Sequence, residues 1–129
     1  MKKIISFIVI TLMLIGAVVF EQIYLNKSFD GLIVKIDNLS KQIEYYEEIN
    51  TLQIKSSSED LESFWTDAEK ILCFTINYND LNRIGEQVQR VKAYIEQNQK
   101  DDCVSEIEVL SFYAESFKTI FITNFGNIF

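Results

Sequence analysis

Carboxylates are the side chains with the most obvious chemical potential in this sequence, because 19 aspartates and glutamates occur among 129 residues. They gather in EYYEE (44–48), EDLE (59–62) and DDC (101–103). Paired carboxylates can act as a general acid and a general base when their environments separate their pKa values. These groups, however, lie on polar helical faces or at predicted helix starts, where hydration and the helix dipole explain them. We expect no catalytic residue among them.

The sequence has few of the residues and motifs that bind metal ions or phosphate. The sequence has no histidine, which removes His-based triads and the usual catalytic zinc ligand sets. The DDC segment lacks the spacing of oxygen ligands that a calcium loop requires, and no glycine-rich loop could hold a phosphate. We therefore predict no metal-binding site, no cofactor-binding site and no enzymatic activity.

Two cysteines, Cys73 and Cys103, raise the question of a disulfide. The predicted helix order places them at opposite ends of a bundle, roughly 20 Å or more apart, whereas a disulfide requires Cα atoms within about 7 Å. We expect Cys103 to be a small buried apolar residue. A bond between the two would require a different helix order.

An uncharged stretch, IISFIVITLMLIGAVVF, runs from Ile4 to Phe20 behind Lys2 and Lys3. As a helix it measures about 25 Å, slightly less than the roughly 30 Å hydrocarbon core, and the long lysine side chains make up the difference. A cleaved leader would end in a small-x-small site, but the nearest candidates, Gly16 and Ala17, precede bulky residues. We favour an uncleaved transmembrane anchor and keep a cleaved leader as the alternative.

Charge predicts the orientation of that anchor. Lys2 and Lys3 precede the apolar run, and positive flanks stay on the cytoplasmic side. The residues after Phe20 hold all 19 acidic and ten of the 12 basic residues, a formal charge of about −9, which disfavours nucleic acid and anionic lipid as partners. We expect a single-pass cell-membrane protein with an anchor over 1–25 and one extracytoplasmic domain over 26–129.

The fold class follows from helical periodicity. There is no proline, and four glycines are too few for the turns of a β-rich domain. Apolar residues that recur at steps of three and four predict helices over 4–54, 58–76, 80–98 and 102–121. Short links imply antiparallel neighbours. The prediction is an all-α protein in which an N-terminal transmembrane helix continues as one rod into a small antiparallel bundle.

Polar residues between these helices supply predicted caps. In KSSSED (55–60), Ser56 and Glu59 have the spacing of a capping box. In NYND (77–80), Asn79 or Asp80 would cap the third helix.

The segment FWTDAEKILCFTINYNDLNRIGEQVQRVKAYI (64–95) resembles DUF4363, a family of small membrane proteins of unknown function from clostridia and related Gram-positive bacteria. The resemblance extends over the short basic start, the apolar helix, Trp65 ahead of a helix end, the Asn/Asp-rich turn and a terminal NIF (127–129). The family's turn often holds a histidine where this chain has Tyr78. The resemblance implies neither an activity nor a substrate nor a cofactor.

Three functions remain open. The favoured one is a membrane-anchored accessory protein that contacts lipid through residues 4–20 and binds a membrane or envelope partner through its outer helices. A ligand sensor would have to signal through such a partner, because only residues 1–3 are expected inside. A self-pairing scaffold would use the stripe from Leu25 to Tyr46 as a coiled coil, although three further helices favour a place for that stripe in the bundle core. The oligomeric state is open.

The C-terminal segment FKTIFITNFGNIF (117–129) is unusually apolar and too short to span a membrane. Its end could fold back over the bundle, which is the favoured interpretation. Alternatively, it docks on a partner protein or on the outer membrane interface. The candidate interaction tail consists of Ile122, Phe125, Ile128 and Phe129.

Overall fold

The computed structural model describes the backbone of residues 1–128 and the side chains of residues 1–121, and all regular structure in that part of the chain is helical. The helices are α1 (Lys2–Tyr45), α2 (Leu52–Leu72), α3 (Tyr78–Glu96) and α4 (Lys100–Ile128). Helices α1 and α3 each pack against both α2 and α4, so the four helices form an antiparallel ring. The predicted all-α fold, with a long apolar N-terminal helix that continues into a bundle, is confirmed.

The two halves of α1 differ in burial. No side chain is buried before Leu25, and from there the predicted stripe enters the core. Phe29, a member of this stripe, is fully buried, with its ring centroid 6.0 Å from that of Trp65 and 6.1 Å from that of Phe121. The stripe therefore belongs to the intramolecular core. Its buried apolar members are Leu25, Phe29, Leu32, Ile36, Leu39 and Ile43.

The prediction that the first helix continues to residue 54 is wrong, because α1 ends at Tyr45. The link to α2 buries Ile49 completely, and the Ile49 N–H donates to Asn98 Oδ1 at 2.8 Å. Lys100 Nζ, from α4, donates to the carbonyl oxygens of Glu44 and Tyr46 at 3.2 and 2.9 Å. A cation at these carbonyls offsets the negative end of the helix dipole. Partners distant in sequence thus end α1.

The predicted caps are also corrected. Ser56 lies inside α2, so the Ser56–Glu59 capping box is wrong. The N-cap of α2 is Thr51, whose side chain accepts a hydrogen bond from the Ile54 N–H at 3.3 Å. The turn at NYND is confirmed, but its cap is Asn77, whose side-chain oxygen accepts from the Asn79 N–H at 2.9 Å.

These two possible caps of α2 give a direct test. Thr51→Ala is expected to lower the free energy of unfolding by about 1 kcal/mol, because it removes the partner of an otherwise orphaned helix N–H. Ser56→Ala, the matched control, is expected to leave it unchanged or to raise it slightly, since alanine is the better helix former. Urea unfolding of both variants measures the difference. An equal loss in both would contradict the assignment of Thr51 as the cap.

The links define two ends of the bundle. The distal end consists of the α1–α2 link (46–51) and the α3–α4 link (97–99). There Asn98 adopts a left-handed φ of 55°, and the N–H groups of Asn98 and Gln99 donate to the carbonyls of Ile95 and Tyr94, which is a Schellman motif. The proximal end holds the α2–α3 link (73–77) and the point where α1 leaves the bundle.

Helix α4 runs antiparallel to α1 toward the proximal end and continues past its predicted end at 121 to Ile128. The candidate interaction tail, Ile122, Phe125, Ile128 and Phe129, lies outside the residues whose side chains the structure describes. Its role therefore stays a prediction.

Candidate functional site

The most unusual surface of the molecule is the apolar segment of α1, residues 4–20. This helix is long and apolar enough to cross a membrane, and none of the apolar window is buried by the rest of the protein. The hydroxyl of its one threonine is hydrogen-bonded within the helix, because Thr11 Oγ1 donates to the Phe7 carbonyl oxygen at 2.8 Å. Soluble monomers rarely expose a contiguous apolar surface of this size. A core helix would be packed by its neighbours, and this segment is not.

At the proximal end the apolar segment meets the bundle through aromatic residues. The rings of Phe20 and Tyr24 stack with centroids 6.4 Å apart, and Tyr24 packs against the core. Phe74, in the α2–α3 link, is 84% exposed, and Tyr78, the first residue of α3, is 70% exposed. The sequence pattern did not single out Phe74 or Tyr78 as an exposed pair.

The distal end carries a second exposed group. Tyr45 and Tyr46 lie edge to face at 4.9 Å, and Leu52, one residue after the Thr51 cap, is almost fully exposed. Because α1 is continuous, the 25 residues from Phe20 to Tyr45 place this group about 38 Å beyond the apolar segment.

The acidic clusters are used differently. In EDLE, Asp60 pairs with Lys35 of α1, and Glu62 accepts from Lys92 of α3 at 2.9 Å and from Gln89. The hydrogen bonds from Lys92 and then Gln89 lower the pKa of Glu62, because they favour its charged form. EDLE therefore ties α2 to both neighbouring helices. The acidic residues of EYYEE and DDC are exposed at the distal end.

A polar pair that the sequence pattern did not reveal lies between α2 and α3. The Trp65 Nε1–H donates to Glu69 Oε1 at 2.7 Å, across one helical turn. Burial raises the pKa of Glu69, and the bond from Trp65 opposes that rise. Beside it runs an open groove of about 350 Å³, lined by Thr66, Glu69, Lys70, Cys73, Tyr78 and Leu81.

The opposite pKa shifts of Glu69 and Glu62 predict opposite effects of neutralising them. At pH 7 the ionised Glu69 is partly desolvated. Glu69→Gln is therefore expected to leave the free energy of unfolding unchanged or to raise it by no more than about 1 kcal/mol. Its advantage should vanish as the pH falls through the raised pKa, because the native carboxyl then protonates. Glu62→Gln, the control, should have a free energy of unfolding lower than that of the wild type by a similar amount at pH 7. This difference should disappear at acidic pH, where Glu62 of the wild type is protonated. If both substitutions changed the free energy of unfolding in the same direction at pH 7, the environments described for Glu69 and Glu62 would be wrong.

The two cysteines are both free, and they differ in reactivity. Cys73 is exposed in the α2–α3 link, whereas Cys103 is buried with its Sγ 3.8 Å from the Val91 carbonyl oxygen. Burial, and secondarily the Glu106 carboxylate, raises the pKa of the Cys103 thiol to about 12. A thiol reagent at neutral pH should therefore modify Cys73 and spare Cys103.

Among the described residues, no group of three or more Cys, Asp and Glu side chains is placed to hold a metal ion. The paired carboxylates are partnered across helices or exposed.

Comparison with known proteins gives a match to a protein family. The sequence model of a family described as "Domain of unknown function (DUF4363)" matches residues 19–128, from the end of the apolar segment through the last helix. No curated protein and no solved structure matches the chain. The resemblance drawn from residues 64–95 is thereby confirmed.

Proposed function

Because the chain belongs to the DUF4363 family, whose description names no activity, we propose a function from its surfaces: a membrane-anchored accessory protein. In this proposal residues 4–20 span the cell membrane, and the bundle stands outside it to bind a membrane or envelope protein. In this proposal the protein acts by binding rather than by catalysis, and no cofactor takes part.

The observation that carries the proposal is the continuity of α1. One uninterrupted helix contains both the exposed apolar segment and a stripe that is buried in the core of the bundle. The apolar segment loses its contact with water only by entering lipid or by meeting another protein. A membrane accounts for its length, for its uniform exposure around the helix and for the internally bonded Thr11.

The charges on either side support the orientation. Lys2 and Lys3 precede the apolar segment, Glu21 follows it directly, and the rest of the chain is strongly acidic. Positive residues are retained on the cytoplasmic side. The bundle is therefore extracytoplasmic, and its acidic surface keeps it soluble next to a membrane.

The distal end supports partner binding. Its aromatic pair and Leu52 are exposed, and α1 holds them at a fixed height because no link interrupts that helix. Aromatic side chains are enriched at protein interfaces, where they bury a large area at small entropic cost. We assign partner contact to this group, Tyr45, Tyr46 and Leu52.

Photo-crosslinking in cells tests the assignment. A benzophenone amino acid at Tyr45 is expected to give one discrete adduct with another membrane or envelope protein. The same probe at Arg90, exposed on α3 between the two ends, is the control and should give none. An adduct of twice the chain's own mass would instead support the self-pairing scaffold. Absence of adducts from both Tyr45 and Leu52 would contradict partner binding at the distal end.

A further inference from the structure

We infer that the proximal end of the bundle is a second membrane contact, in which Phe74 and Tyr78 enter the headgroup layer of the membrane that holds residues 4–20. The occupant of this surface is the lipid interface itself, and the contact is apolar and aromatic rather than ionic. This inference rests on the proposed function, since it requires the anchor to be in the membrane.

The pairing of α2 with α1 places the two aromatic residues near the membrane. A Cβ at Gly31 would come within 2.5 Å of Phe64 Cζ, and Tyr24 and Ala68 line one surface groove further along. The two helices are thus antiparallel, because the lower-numbered Tyr24 of α1 lies beside the higher-numbered Ala68 of α2. Continued past Ala68 in the same antiparallel sense, α2 reaches the 73–77 link near Phe20, within about one to two helical turns.

Local structure holds Phe74 and Tyr78 outward. Leu72 and Ile76 are buried and occupy the core positions at this end. The link backbone is fixed between them, because the N–H groups of Thr75 and Ile76 both donate to the Leu72 carbonyl oxygen, at 2.9 and 2.8 Å. Phe74 and Tyr78 therefore cannot turn into the core without displacing Leu72 or Ile76. Their exposure is a property of the link.

Continuity with the apolar segment identifies lipid as the occupant. Phe20 is also exposed and stacks on Tyr24, so α1, the α2–α3 link and the start of α3 each present an aromatic side chain at the end of the bundle where the apolar segment leaves it. Tyrosine is enriched at the membrane–water interface, and phenylalanine occurs on the apolar face of helices that lie at the headgroup boundary. That layer is about 5–8 Å deep on each side of the hydrocarbon core, within reach of an aromatic side chain from the link.

The charge nearby is mixed, which favours a neutral interface. Lys70 and Asp67 flank the link on α2, and Asp80 follows Tyr78 on α3. No excess of cations is available to select anionic lipid, in agreement with the acidity of the whole bundle. The contact is therefore expected to form equally on zwitterionic phosphatidylcholine.

A second contact would fix the tilt of the bundle. A single helix can tilt in a bilayer, whereas a helix and a lateral aromatic contact define a plane. The proximal end would then be fixed against the surface, and the distal group would be presented at a constant height and direction.

Tryptophan quenching by brominated lipid tests the contact in the full-length protein. Three single variants are reconstituted into phosphatidylcholine vesicles without bromine, with bromine near the glycerol end of the acyl chains, or with bromine near the ends of the chains. They are Met13→Trp in the apolar segment, Phe74→Trp in the link and Tyr45→Trp at the distal end. The native Trp65 is almost fully buried and supplies the same background in all three.

We expect brominated lipid to reduce the added emission of Phe74→Trp at least about twofold, as suits a side chain at headgroup depth, and to leave Tyr45→Trp unchanged. If brominated lipid quenched Met13→Trp but left Phe74→Trp as unaffected as Tyr45→Trp, the second contact would be overturned and the anchor would remain supported. Met13→Trp that is not quenched would overturn the anchor and this inference together. Tyr78→Trp repeats the test should Phe74→Trp fold poorly.

Discussion

Phe29→Ala is expected to lower the free energy of unfolding of the bundle by about 3–5 kcal/mol, as is typical when a large buried aromatic ring is removed. Phe29 is completely buried and lies between Trp65 of α2 and Phe121 of α4, so its ring joins three helices. Alanine would leave a cavity that three separate backbones would have to close. A domain of this size is usually stable by about 5–15 kcal/mol, so much of its stability would be lost.

The measurement is denaturant unfolding of the protein in detergent, followed through the fluorescence of Trp65. Val34→Ala is the matched control, because Val34 is 57% exposed on another face of α1. It should change the unfolding free energy by less than about 0.5 kcal/mol. Comparable losses in the two variants would contradict the burial of Phe29 between α2 and α4.

Two arginines in the apolar segment should abolish membrane retention. About a dozen Leu, Ile, Phe and Val residues in that segment contribute roughly −0.3 to −0.6 kcal/mol each to insertion, whereas a central arginine contributes about +2.5 to +3.5 kcal/mol. The double variant Ile8→Arg/Leu12→Arg therefore brings the total from clearly favourable to near zero or unfavourable. We expect the protein to move from the carbonate-resistant membrane fraction to the soluble or degraded fraction.

The control for this variant is Ile8→Leu/Leu12→Ile, which conserves apolar volume and should be retained like the wild type. If the arginine variant remained in the membrane fraction, the segment would not be the anchor, and membrane association would have to come from another surface.

The helical stripes could be predicted because each needs only local spacing. Leu25, Phe29, Leu32 and Ile36 recur at steps that any α-helix places on one face, whatever packs against it. The bare segment before Leu25 could be recognised equally well, since a run without charge needs no partner to be identified. The buried Cys103 followed from the stripe of the last helix.

The end of α1 could not be predicted, because distant residues determine it. Nothing in YEEINT (46–51) has the glycine or proline of a typical break, and the serines of KSSSED looked like the better cap. Asn98 and Lys100, about 50 positions away, bond the link and the last carbonyls of α1. Ser58 instead donates to the Lys55 carbonyl oxygen inside α2, at 2.7 Å.

Of the candidate contact surfaces, the apolar segment could be predicted from the sequence, but the exposed aromatic residues at the proximal end could not, because their exposure depends on how their neighbours pack. Phe74, in the α2–α3 link, and Tyr78, at the start of α3, belong to neither apolar stripe, and only the burial of Leu72 and Ile76 indicates that they face outward. The Trp65–Glu69 bond was missed although its spacing of four is visible in the sequence. Tryptophan followed by a carboxylate one turn later is a signal that could have found it.

Thiol labelling in intact cells tests most directly whether the bundle is anchored and lies outside. In a Cys73→Ser background the buried Cys103 is silent, so an added cysteine is the one reactive site. A membrane-impermeant maleimide is expected to label Glu47→Cys, in the distal link, in intact cells. It should label a cysteine inserted between Met1 and Lys2, which keeps both lysines, only after permeabilisation. Labelling of the inserted cysteine in intact cells, with Glu47→Cys protected until the membrane is opened, would contradict the proposed topology.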